Sequence, residues 1–219
     1  MRGKLQRFAE IEKRDNVIQK DKPLYESIKG HWLKEYFKNN NDIVVELACG
    51  RGEYTLGMSR LFPERNFIGV DLKGDRLWKG SSIAIEEGLS NTAFLRAEIL
   101  NLADFFDRGE INELWITFPD PRPKERDIKR RLTSPRFLEI YKQVLHKGAW
   151  VKFKTDSSSL FEYTLETLKE RNDVLDLEYT FDLYHSELKS ECYDIRTHYE
   201  QKFSALGHDI KFLKFRFRE

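Results

Sequence analysis

The residues of this chain best arranged for chemistry are Phe118-Pro119-Asp120-Pro121-Arg122-Pro123-Lys124-Glu125-Arg126-Asp127-Ile128-Lys129-Arg130-Arg131-Leu132. A carboxylate, Asp120, stands between two prolines, and Pro123 follows. Proline fixes φ and removes an amide donor, so the loop is stiff and its carboxylate has few ways to turn. A rigid anion of this kind can hydrogen-bond the N–H edge of a ligand or favour positive charge that develops beside it. Immediately downstream the chain turns basic: residues 122–131 carry six basic and two acidic side chains, a local net of +4. Arg126, Lys129, Arg130 and Arg131 are suited to backbone phosphates, which are contacted through charge without reading sequence.

A second constellation lies upstream. Val44-Val45-Glu46-Leu47-Ala48-Cys49-Gly50-Arg51-Gly52-Glu53-Tyr54 has the pattern of a strand, a Gly-x-Gly turn and a helix start. Gly50 and Gly52 let backbone come close to a bound molecule. The next strand, Phe67-Ile68-Gly69-Val70, ends in Asp71, placed to reach the two ribose hydroxyls of a nucleoside lying across the strand ends. A dinucleotide turn would carry a third glycine where this chain has Thr55, so a pyrophosphate ligand fits less well. Glu46 agrees. An acid inside the first strand repels a pyrophosphate and suits a ligand bearing an ammonium and a sulfonium; S-adenosylmethionine has both. After the third strand, Glu98 in Arg96-Ala97-Glu98-Ile99-Leu100 offers another polar group where an adenine ring would be read. Cys49 is expected to be a small packing residue, not a nucleophile.

These groups need elements to hold them. Short apolar runs at 43–48, 66–71, 92–97, 111–118, 149–155, 174–181 and 210–217 predict seven strands. Helical segments between them fall at about 53–62, 74–88, 134–146 and 157–170, and Pro23 opens an amphipathic segment over 24–38. Strand–helix alternation predicts an α/β fold: a mostly parallel seven-stranded sheet with helices on both faces. The last strand alternates Leu213, Phe215 and Phe217 with Lys214, Arg216 and Arg218, which suits an antiparallel C-terminal strand. Asp156 precedes Ser157-Ser158-Ser159 as a helix cap would. Thr197 and Glu200 have the spacing of a capping box. A capped helix N-terminus still shows free amides, so structural and ligand-binding roles can coexist.

Composition narrows the class. The 219 residues are 40% hydrophobic and 34% charged with a net charge of +1, a soluble globular balance. That length fits one domain, 23–219, preceded by a flexible basic arm, 1–22, with seven basic and four acidic side chains. A neutral total with basic islands fits a protein that touches a polyanion on one face. Cys49 and Cys192 make neither a metal-ligand spacing nor a disulfide framework, and the five histidines are scattered, so no metal is expected. With no signal peptide and no membrane-length apolar run, the expected location is cytoplasmic.

Glu46…Gly50-x-Gly52, Asp71, Phe118-Pro119-Asp120-Pro121-x-Pro123-Lys124 with Lys129-Arg130-Arg131-Leu132, Thr155-Asp156 and Thr197-x-Tyr199-Glu200 together resemble the bacterial tRNA (guanine-N7)-methyltransferase family. The resemblance runs from about residue 40 to the C-terminus. It implies a Rossmann-like class I methyltransferase fold, S-adenosyl-L-methionine as donor, a guanine of the tRNA variable loop as acceptor, and a monomer or homodimer. It also implies roles: Glu46, Gly50, Gly52, Asp71, Glu98 and Asp120 for the cofactor, and Asp120 for catalysis. Lys124, Asp156, Thr197, His198, Tyr199 and Glu200 fall to the substrate, and Arg126, Lys129, Arg130 and Arg131 to the RNA. The family usually has Trp where this chain has Arg122, a more basic run where it has Glu125-Arg126-Asp127, and often Asn in place of Glu98. A methyltransferase for another RNA or a small molecule, or a non-catalytic RNA-binding relative, are the alternative readings.

Overall fold

Runs of β-branched and aromatic residues such as Ile43-Val44-Val45 and Leu114-Trp115-Ile116 have no polar face, and they form buried strands as such runs should. The computed structural model describes residues 3–218. The strands are β1 (Val17–Ile18), β2 (Ile43–Leu47), β3 (Asn66–Val70), β4 (Thr92–Leu95), β5 (Ile111–Thr117), β6 (Leu145–Thr155), β7 (Val174–Thr180) and β8 (Lys211–Phe217). They make one sheet in the order β1-β4-β3-β2-β5-β6-β8-β7. Neighbours from β1 to β6 are parallel, and β8 runs antiparallel between β6 and β7. The helices are α1 (Lys4–Glu12), α2 (Glu53–Leu61), α3 (Gly74–Glu86), α4 (Pro135–Val144), α5 (Ser158–Lys169) and α6 (His198–Ala205).

The seven expected strands are all present. The eighth, β1, lies within the segment expected to form an arm, where α1 also forms and packs beside α3. The reason is three apolar residues in an otherwise charged stretch: Ile11, Val17 and Ile18 are all buried, and β1 adds its pair of residues to the edge of β4. The expected helix over 24–38 is instead a series of turns ending in a π-helical turn, Trp32–Phe37. Its anchor is tertiary. The Trp32 indole donates to the Phe105 carbonyl at 2.8 Å and stacks on Phe106.

Alternation along β2 sends Val45 and Leu47 to one core and Val44 with Glu46 toward the other face. The second face is unusual around β6. Lys152 and Lys154 point inward from a central strand and are 3% and 0% exposed. They meet acids from the segment after β7: Lys152 pairs with Glu191 at 2.9 Å and Lys154 with Glu200 at 2.7 Å. Charge pairing thus joins apolar burial of Leu183, Cys192 and Ile210 in seating this C-terminal segment on the sheet.

Candidate active site

The sheet order reverses between β2 and β5. The loops leaving their carboxyl ends diverge and open a crevice, the usual ligand position in an open α/β sheet. A cavity of about 810 Å³ lies there, lined by Glu46, Gly50, Thr117 and Phe118 among others. α6 supplies one wall through His198, Tyr199, Lys202 and Phe203. The α6 N-terminus is tied across the crevice, where the His198 backbone N–H donates to Glu53 Oε2 at 2.8 Å.

Glu46 is the chemical centre of this cavity. Its Oε2 accepts from the Thr55 backbone N–H at 2.9 Å and the Thr55 hydroxyl at 2.5 Å, and its Oε1 accepts from Thr117 Oγ1 at 2.5 Å. The residue that replaces the third glycine thus acts as a holder of the carboxylate. Burial outweighs these hydrogen bonds and pushes the Glu46 carboxyl up to about 7. Among the described residues it has no cationic partner. A buried carboxylate without a counter-ion, at the head of a ligand cavity, fits an incoming ammonium.

The two glycines differ. Gly50 takes φ 58° with open space where a Cβ would sit, so its backbone can face a ligand. Gly52 is a packing requirement: a Cβ there would lie 2.5 Å from the Phe94 ring. Asp71 is buried, and its carboxylate accepts from the Gly50 and Lys73 N–H groups at 2.9 and 2.8 Å. Leu72, the next residue, lines a second cavity of about 610 Å³ together with Arg96, Ala97 and the exposed Glu98. Asp71 thus lies between residues of the two cavities, hydrogen-bonded to Gly50 of the first and next in the chain to Leu72 of the second. Burial pushes the Cys49 thiol well up, as befits a packing residue.

Asp120 does not turn into the first cavity. Its side chain is 62% exposed and pairs with Arg122 Nε at 3.3 Å. It also accepts the Arg122 backbone N–H at 3.1 Å. The backbone of this loop is strained: Phe118 and Arg122 sit at φ 46° and 47°, unusual for residues with side chains. The proximal end is pinned where the Phe118 N–H donates to the Lys154 carbonyl at 2.8 Å.

Of the four cations expected on RNA, Arg126, Lys129 and Arg130 are exposed. Arg131 is buried; it donates to the Arg122 carbonyl at 3.2 Å and covers the Tyr163 ring. It holds the loop instead of reaching solvent. Lys124 is exposed beside them. Thr197 and Glu200 form the expected capping box. Glu200 is fully buried on Lys154 and is also hydrogen-bonded by the Tyr184 hydroxyl, so it positions α6 instead of facing a ligand. Tyr199 is 44% exposed. It stacks on Phe203, and its hydroxyl donates to Asp156 at 3.4 Å. The cap of α5 is Ser157, whose hydroxyl accepts from Leu160, which leaves the Asp156 carboxylate to Tyr199.

Lys154 and Tyr184 were not singled out from sequence. The available signal was a pair of lysines at alternate positions of an otherwise apolar central strand, a pattern that demands buried counter-charges.

The sheet, the glycine turn and a crevice with an acid at its floor define a class I methyltransferase fold. Solved structures agree on the fold. The chain is similar to the 16S rRNA methyltransferase KamB with TM-score 0.65 and 15% identity, covering 93% of this chain and 99% of that one. It is also similar to a variant of the 16S rRNA (adenine(1408)-N(1))-methyltransferase from Catenulisporales acidiphilia solved with the cosubstrate SAM. There the TM-score is 0.54 at 15% identity, covering 86% and 89%. A family model described as "Putative methyltransferase" matches residues 40–213. The tRNA (guanine-N(7)-)-methyltransferase of Cytophaga hutchinsonii is 49% identical over 217 residues, 99% of this chain and 98% of that protein. The chain belongs to the tRNA (guanine-N(7)-)-methyltransferase family.

Proposed function

We infer that this protein is an enzyme that transfers a methyl group from S-adenosyl-L-methionine to N7 of a guanine in the tRNA variable loop. The observation that carries the cofactor reading is Glu46, a buried carboxylate held by two threonines with no cation of its own. When bound, S-adenosylmethionine supplies an electrophilic methyl carbon on its sulfonium. Glu46 would hold its ammonium, Asp71 its ribose and Glu98 its adenine edge.

Guanine N7 already carries a lone pair, so the protein need not remove a proton before attack. Its task is alignment and charge. Methylation leaves positive charge on the purine. Asp120, on a strained loop at the crevice rim, is the carboxylate we assign to that charge and to the guanine N1–H and amino group. Tyr199 presents a ring on which the base can stack. Lys124, Arg126, Lys129 and Arg130 are assigned to RNA phosphates, and Arg131 to support of the loop. Residues 23–219 are assigned to the methyltransferase domain, onto which α1 and β1 fold, and the setting proposed is the cytoplasm.

The test is methyl transfer from labelled cofactor to unmodified tRNA, with nucleoside analysis of the product. Expected is 7-methylguanosine at one variable-loop position. Label in another nucleoside, or equal transfer to free guanosine, would replace this acceptor.

The state of Glu46 makes a further prediction. An ammonium stabilises the ionised carboxylate, so cofactor binding below about pH 7 expels a proton from Glu46. Affinity should rise as pH increases through 7 and level off above it. Calorimetry in buffers of different ionisation enthalpy reads the proton directly. Glu46→Gln should bind weakly and without that pH dependence. The same shift acts on stability in the opposite sense. The carboxyl is raised in the folded state, so its contribution is full below its unfolded value and is lost as pH rises through about 7.

A further inference from the structure

We propose that Arg7, carried on the N-terminal helix, is a phosphate contact for the RNA strand that enters the crevice; this rests on the tRNA reading above. The case begins with packing. Phe8 and Ile11 of α1 press on α3 at Gly74, where a Cβ would come within 2.7 Å of the Phe8 ring and 2.8 Å of Ile11 Cδ1. Trp78 of α3 completes the joint. Its indole donates to Glu10 at 2.6 Å, and Arg14 donates to its carbonyl at 2.8 Å. The guanidinium of Arg7 lies 5.1 Å from the centre of the Trp78 ring. α1 is thereby held as an outer wall of the crevice, on the α3 side of the glycine turn.

Arg7 itself lines the main cavity. Its Nε is shielded from solvent and has no hydrogen-bond acceptor. An oriented guanidinium whose buried donor lacks an acceptor, at the wall of a ligand cavity, asks for an anion. The chemistry of the surroundings selects which anion. Arg51, Arg76, Lys79 and Lys202 line the same cavity and, with Arg7, outnumber its carboxylates Glu46, Glu53 and Asp75. None of these, nor Arg7, forms a salt bridge among the described residues. A single carboxylate on a cofactor would need one cation. Five cations against three carboxylates, of which Glu46 and Glu53 are held by hydrogen bonds within the protein, suit a chain of phosphates. On the α6 wall, Tyr199 and Phe203 stack at 4.3 Å, a platform for a base turned in from that chain. The crevice thus grips the target nucleotide between a basic α1–α3 wall and an aromatic α6 wall.

The experiment compares wild type, Arg7→Ala and Arg7→Lys in the full chain. Binding of unmodified tRNA is titrated from low to moderate salt, and binding of S-adenosylmethionine alone is measured by calorimetry. Expected for Arg7→Ala is tRNA affinity about tenfold weaker at low salt, with the salt slope smaller by about 1, and unchanged cofactor affinity. Arg7→Lys keeps the charge and should keep the wild-type slope. Weaker cofactor binding with normal tRNA binding overturns the proposal and gives Arg7 to the cofactor carboxylate. Unchanged binding of both overturns it as well. Wild-type protein that binds no tRNA at any salt defeats the functional reading itself, and this inference with it.

Discussion

Asp120→Ala should lower kcat by roughly a hundred- to a thousandfold, the range for loss of one fixed electrostatic group in an active site. Thermal stability should stay close to wild type, because the side chain is 62% exposed and its one ion pair among the described residues, with Arg122, is at the surface. Asp120→Asn separates charge from shape. The amide can still accept from the Arg122 backbone but offers little to a cationic purine, so its kcat should fall nearly as far. Single-turnover kinetics on saturating tRNA and cofactor reads the effect free of product release. A variant that turns over at the wild-type rate would sink the role given to Asp120. The pairing with Arg122 adds a consequence specific to this chain. In the RNA-free protein part of the Asp120 charge is already neutralised, and guanine must compete with the guanidinium for it.

The second large effect is on stability. Lys154→Met should cost about 3–5 kcal/mol, because it leaves the Glu200 carboxylate buried with no cation. For a chain of this length that is a fall in Tm of roughly 10 °C. Burial, together with the Glu200 carboxylate, raises the Tyr184 phenol well above its ordinary range, so that hydroxyl stays a donor and cannot serve as a counter-ion. The double variant Lys154→Met with Glu200→Gln should recover most of the loss. Gln removes the stranded charge; its amide oxygen can keep the capping box to the Thr197 N–H, and its amide nitrogen can donate to the Tyr184 hydroxyl oxygen in place of the bond now accepted there. Scanning calorimetry of the single and double variants decides. A single variant as stable as wild type would mean that the pair is open to water. Activity should fall with the single variant as well, since Glu200, left without the Lys154 ammonium, no longer anchors α6 on the sheet.

What the sequence determined by itself was local. Apolar runs fixed seven strands and their alternation with helices, because a buried parallel strand needs no polar face. The glycine turn, Glu46 and Asp71 fell at strand ends because chain order alone puts them there. The proline loop declared its stiffness, since φ restriction is a property of the residue. The capping box at Thr197 and Glu200 was legible for the same reason. Tertiary structure decided the rest. It buried Arg131 and Glu200 among partners far along the chain, removing both from solvent although their types predicted exposure. It folded residues 4–18 onto α3 and β4, because three apolar side chains found a surface that exists only after the sheet has formed. It also brought Arg7 to a crevice whose other lining residues begin at Glu46, far along the chain. Burial and pairing across long sequence separations depend on the whole sheet. Stiffness, capping and strand patterning do not.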